Sequence, residues 1–102
     1  MSTENEPIKV IVELHAKPGQ RAAIKHLLES IVTEHGADAA GFLGSTRYEV
    51  LDNPDILVEI AEWESVEARL VHMQEAMNSG IYAPLSELLA APFRATVISQ
   101  LP

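Results

Sequence analysis

Glu59 and Trp63 stand in Ile56–Trp63 (ILVEIAEW), a run whose alternation gives both side chains one face of a strand. A carboxylate on an inward strand face must be paired, protonated or set in a wet cavity. In a cavity it is a base or hydrogen-bond acceptor for a substrate hydroxyl, with its pKa raised by burial. As a structural group it pairs with Arg47, Arg69 or Arg94. Trp63, the only tryptophan, offers a wall for a planar substrate, or an anchor between its strand and the next helix. His72 is a second candidate base, since an imidazole neutral near pH 7 accepts the proton of a phenol or enol. It lies off the apolar stripe of its helix, near the edge, where it reaches either a pocket mouth or the surface. Tyr48, Tyr82 and Phe42 supply aromatic walls or orienting hydroxyls, with core packing as the alternative. Arg69 offers a charge to an anionic substrate group or to a surface carboxylate.

Other chemistries lack their residues. The chain has no cysteine, which removes disulfides, thiolate metal sites and cysteine nucleophiles. His26 and His35 share a helix without metal-ligand spacing, and His15 ends a strand, so no metal site is expected. Gly36, Gly41 and Gly44 form no phosphate-binding loop, and no Ser-His-Asp order stands out. Seven Lys and Arg against fifteen Asp and Glu give a formal charge of −8 with no basic run. That disfavours nucleic acid and anionic membrane surfaces. No apolar stretch reaches the length of a membrane span. The polar, acidic start is expected to be a loose tail over residues 1–7, and the protein cytoplasmic.

The elements that position these residues are legible as periodicities. Ile8–His15 alternates as a strand, and Pro18-Gly19 breaks it. Helical spacing over Gln20–His35 puts Ile24, Leu27, Leu28, Ile31 and Val32 on one stripe. Gly41–Leu51 reads as a second strand, with Tyr48 on the side of Phe42, Thr46 and Val50. Asp52-Asn53-Pro54-Asp55 turns the chain into Ile56–Trp63. Ser65 is placed to cap a helix whose expected inward stripe is Val66, Leu70, Met73 and Met77. Asn78-Ser79-Gly80 interrupts it, Ile81, Leu85, Leu88 and Leu89 continue in a short helix, and Phe93–Leu101 closes as a fourth strand. The order is β-α-β-β-α-β, in which both helices cover one face of a four-stranded antiparallel sheet. The third strand is apolar on both sides: Leu57, Ala61 and Trp63 accompany Glu59, while Ile56, Val58 and Ile60 accompany Glu62. With Ile11 and Ile98, the uncovered face is therefore expected to bury itself against a second copy of the chain.

The chain resembles the antibiotic biosynthesis monooxygenase family of small dimeric α+β barrels. The segments that carry the resemblance are Val12–Gly19 with its helix, Gly41-Phe42-Leu43, Asp52-Asn53-Pro54, Glu62-Trp63-Glu64-Ser65, and His72 beyond it. Together they span nearly all of residues 8–101. The resemblance implies a ferredoxin-like α+β protomer, a homodimer, here expected to join through the open sheet face, and a pocket between helices and sheet. Several members oxidise aromatic polyketides or quinols with O2 and neither metal nor flavin. One branch degrades haem, and other members are isomerases or lack known activity.

The haem branch carries Asn, Trp and His at the positions of Val12, His72 and Tyr82. All three differ, so haem is not expected, although tyrosine is a residue type that ligates haem iron. The polyketide-oxidising branch carries Asn, Trp and Tyr at the positions of Glu59, Trp63 and Arg69, of which the Trp matches. Many relatives have a His at the position of His72. The resemblance thus implies a cofactor-independent monooxygenase acting on a small aromatic, quinol or polyketide-type substrate. The resemblance carries over Trp63 and His72; with Glu59, taken from the residue types alone, they would serve the reaction, and by the same residue reading Tyr48, Tyr82, Phe42 and Arg69 would contact the substrate. A cofactor-free isomerase or lyase, and a non-catalytic binding protein, are the alternatives on the same scaffold.

Overall fold

The structure, a computed structural model, describes residues 7–36 and 39–101. Apart from the exposed Pro7, the tail expected over residues 1–7 lies outside them. Strands β1 (Ile8–His15), β2 (Phe42–Glu49), β3 (Ile56–Trp63) and β4 (Arg94–Ile98) form one sheet in the order β2-β3-β1-β4, antiparallel throughout. Helices α1 (Arg21–Ile31), α2 (Val66–Ser79) and α3 (Ala83–Leu88) cross it, and a π-helical turn, Val32–Gly36, extends α1. This is the expected α+β, ferredoxin-like arrangement. Among the described residues no helix is long and apolar enough to cross a membrane.

Register decides which side chains meet the helices. Ile8, Val10, Val12 and Leu14 oppose Trp63, Ala61, Glu59 and Leu57 on the covered face. Burial there is in two clusters. Leu14, Ala16, Ile24, Leu28, Leu57 and Leu85 form one, and Ile8, Val10, Ala61 and Trp63 the other. Val12 touches both, and its cross-strand partner Glu59 falls at the seam. Main-chain bonds from Lys17 N–H to the Leu88 carbonyl and from Ala90 N–H to the His15 carbonyl, each 2.8 Å, tie α3 to the end of β1.

One expectation is corrected by this register. In β2 the pairing shifts between Phe42 and Gly44. Gly44, at φ +136°, takes up the bulge, and an inserted residue reverses the alternation beyond it. Phe42 opposes Trp63, while Ser45 and Arg47 oppose Ala61 and Glu59. Tyr48 therefore lies opposite Val58 on the uncovered face, half exposed, and not beside Phe42.

The second correction concerns α2. Of the stripe expected inside, Val66, Leu70 and Met77 are 43%, 55% and 75% exposed. The inward face is Ala68, Arg69, His72 and Ala76, with Met73 at its margin. The first turn packs too closely for large side chains. A Cβ at Gly41 (φ +83°) would stand 2.5 Å from the Ala68 Cβ, and the Glu64 N–H donates to the Gly41 carbonyl at 2.8 Å. The Ser65 hydroxyl accepts from the Ala68 N–H at 3.1 Å, capping the helix as expected. Once the helix is pinned in this rotation, its polar residues overhang the sheet. The fourth strand is also shorter than Phe93–Leu101, and every residue of it is exposed.

Candidate functional site

Where the two buried clusters part, a cavity of about 90 Å³ separates sheet from helices. Its floor is Glu59 and Trp63 of β3 with Phe42 of β2, and α2 roofs it with Arg69, His72 and Met73. Tyr82, at the start of α3, and Phe93, before β4, complete the lining. Six of the residues singled out from sequence thus meet in one place: Phe42, Glu59, Trp63, Arg69, His72 and Tyr82. Tyr48 is turned away by the bulge. Ser45, which the bulge swings into the lining, escaped the strand alternation. Gly44 is the signal that could have found it, since a glycine inside a strand often marks such a shift.

Three aromatic groups stack in sequence around Trp63. Its ring centre lies 5.1 Å from that of Phe42, tilted by 60°, and 5.0 Å from the His72 imidazole, tilted by 39°. His72 meets the Tyr82 ring edge-on at 82°. The His72 Nε2 and the Tyr82 hydroxyl are 3.2 Å apart, a hydrogen-bond distance. Burial, reinforced by the charge of Glu59, pushes the Tyr82 pKa up, against a smaller opposing pull from Arg69. The phenol therefore stays protonated at neutral pH. A protonated phenol both donates to and accepts from an imidazole, so this pair can pass a proton in either direction.

Glu59 resolves its two readings in a mixed way. Its partner is Arg47, whose Nη1 lies 3.4 Å from Oε2. The same Nη1 donates to the Ser45 hydroxyl at 3.0 Å, and Nε lies 3.8 Å from Glu29. A tight guanidinium–carboxylate bond is about 2.7–2.9 Å, so the Glu59 pair is loose. Desolvation raises the Glu59 pKa above its ordinary value, and the charge and hydrogen bond of Arg47 offset this only in part. A carboxyl so placed takes up a proton more readily than one in water. Among the described residues, no group of three or more His, Cys, Asp or Glu is arranged to hold a metal ion.

The sequence model of one family, antibiotic biosynthesis monooxygenase, matches residues 7–78. Among curated proteins none matches the chain significantly. Solved structures do. A conserved protein from Methanosarcina mazei is 22% identical at a TM-score of 0.82, with 97% of each chain covered. Rv0793 from Mycobacterium tuberculosis is 27% identical at 0.79, covering 95% of this chain and 97% of its own. A variant of SnoaB, described as a cofactor-independent oxygenase from Streptomyces nogalater, is 14% identical at 0.80, with 93% of each chain covered.

Proposed function

The chain belongs to the antibiotic biosynthesis monooxygenase family, and from that premise we propose that it is a cofactor-independent monooxygenase. Its substrate is a small aromatic phenol, quinol or polyketide-type hydroxyarene, oxidised by O2 in the cavity between sheet and helices. The observation that carries this reading is the convergence of proton-handling groups (Glu59, His72, Tyr82) with aromatic walls (Trp63, Phe42) around one cavity.

The substrate brings the electrons and the protein manages the proton. Tyr82 accepts the substrate's hydroxyl proton while passing its own to the His72 Nε2; Glu59 is the second base within the same lining. The phenolate then gives one electron to O2, and the two radicals combine into a ring peroxide. Loss of water from that peroxide leaves a quinone. One phenol and one O2 thus give one quinone and one water, and the proton held by His72 returns to the departing oxygen. Apolar walls such as Leu28, Ile31 and Leu85 limit the water that would quench these intermediates. A cavity of about 150 Å³ accommodates benzene. At about 90 Å³, this one must widen for its substrate, and the unbranched Met73 and the rim residue Phe93 are the side chains best able to move.

Oxygen consumption with a panel of dihydroxynaphthalenes tests the proposal. One quinone is expected per O2 consumed. His72→Ala lowers kcat by about 10²–10⁴-fold, and Tyr82→Phe by about tenfold or more, because each removes part of the proton path. No O2 uptake across the panel by the folded protein overturns it. Turnover under strict anaerobiosis would instead favour an isomerase, a reading that rests on two proton carriers, Glu59 and the His72–Tyr82 pair, facing the same space. We further propose that the protein works as a cytoplasmic homodimer. On the uncovered face Ile11, Ile56, Val58 and Ile60 are only half-buried within the lone protomer, and a second sheet would exclude water from them.

A further inference from the structure

Arg69 projects from α2 into the cavity lining beside His72, part-buried. Among the described residues, Arg21 and Arg47 each have a carboxylate within 4 Å, whereas no carboxylate or other hydrogen-bond partner lies against the Arg69 guanidinium. Its own helix cannot supply one. The positions that meet Arg69 along the helix are Ser65, Val66, His72 and Met73, and Glu64, Glu67 and Glu75 fall elsewhere. The other charged lining residue, Glu59, makes its ion-pair contact with Arg47 and not with Arg69. A guanidinium that has lost part of its water and gained no acceptor favours any ligand that brings one. The charge of Arg69 also reaches the Tyr82 hydroxyl, the group that faces the reacting oxygen in the reading above.

We propose that Arg69 is the carboxylate receptor of the site, and that the substrate is an aromatic acid whose carboxylate neighbours the reacting hydroxyl. This rests on the cavity being the substrate site. The planar ring lies against Trp63 and Phe42, the carboxylate is held by the Arg69 fork, and the adjacent hydroxyl meets Tyr82. In this site Arg69 sets both preference and orientation, which an apolar cavity alone would leave open.

Nuclear magnetic resonance titration separates the two levels. Trp63 is the only tryptophan, so its single indole N–H resonance reports occupancy of the cavity. 1-Hydroxy-2-naphthoate and 1-naphthol differ by the carboxylate alone. The wild-type protein is expected to bind the acid about tenfold or more tightly than the naphthol, the scale of a charge-assisted pair. In Arg69→Gln that ratio falls to within about twofold, and in Arg69→Lys, which keeps the charge and loses the planar fork, it is intermediate. Equal wild-type affinities, or a preference that survives in Arg69→Gln, overturn the role of Arg69 while leaving the cavity as a binding site. If neither compound moves the indole resonance, the cavity is not the substrate site and both proposals fall.

Discussion

Glu59 shows how one side chain can tie stability to reactivity. Its folded pKa lies above the unfolded value, because burial outweighs Arg47. The native state therefore holds the extra proton at pH values between the two, and stability falls as pH rises through that interval. Below the unfolded pKa the penalty vanishes, and above the folded pKa it is constant. Glu59→Gln lacks this titration. The melting temperature of the variant minus that of the wild type is expected to climb from about pH 4.5 upward and then level off, as thermal denaturation across pH would show. A difference that stays flat with pH would mean that Arg47 fully compensates the buried charge. Trp63 and Glu59 were legible as a pair because the strand that carries them has no irregularity. Tyr48 was not, since a single glycine upstream reverses its side. The outcome for Arg69 needed three dimensions, because only the fold shows which acidic residues fail to reach it.

At the level of the elements, α2 is set by its first turn and not by its apolar stripe. Val66, Leu70 and Met77 have the spacing of a core face, yet they point outward. The contact of Gly41 with Ala68 and the Ser65 cap hold the helix in a rotation that leaves those residues outside. Gly41→Ala tests this. The new methyl group meets Ala68 and Glu64 while the backbone holds a left-handed conformation, which together cost about 2–4 kcal/mol. Urea denaturation is expected to show that loss, with a smaller response of the Trp63 resonance to ligand as the roof lifts. Strands β1 and β3 match their sequence periods residue for residue, because each is central and alternates without a bulge. The edge strand β4 ends earlier than its composition implied. Pairing on one side alone gives residues such as Leu101, 88% exposed, little to hold them in the ladder.

On the scale of the whole molecule, a two-layer protomer leaves one sheet face without cover. A polar frame borders the apolar centre of that face: Lys9 pairs with Glu62 at 3.8 Å, and His15 with Glu13. In a homodimer the centre would be dry and the frame wet, the usual anatomy of an interface. Ile60→Asp places a carboxylate in that centre and is expected to shift the sedimentation coefficient from dimer to monomer at micromolar concentration. A wild-type protein that already sediments as a monomer would refute the assembly. Each protomer carries a formal charge of −8, so added salt is expected to tighten the pairing by screening the repulsion between copies.

The seam at Val12 and Glu59, where two buried clusters fail to merge, has a cost that the chain carries at all times. A domain of this size normally joins its apolar side chains into one mass; here the waist is hollow and holds a carboxyl group. Glu59→Leu would plug it with hydrocarbon. The plugged protein is expected to melt several degrees higher, since removing a part-buried carboxyl and filling space both favour the native state while Arg47 keeps Glu29 and Ser45 as partners, and to consume no oxygen. A sturdier but inert molecule would mark the hollow waist as a weakness retained for the sake of the chemistry.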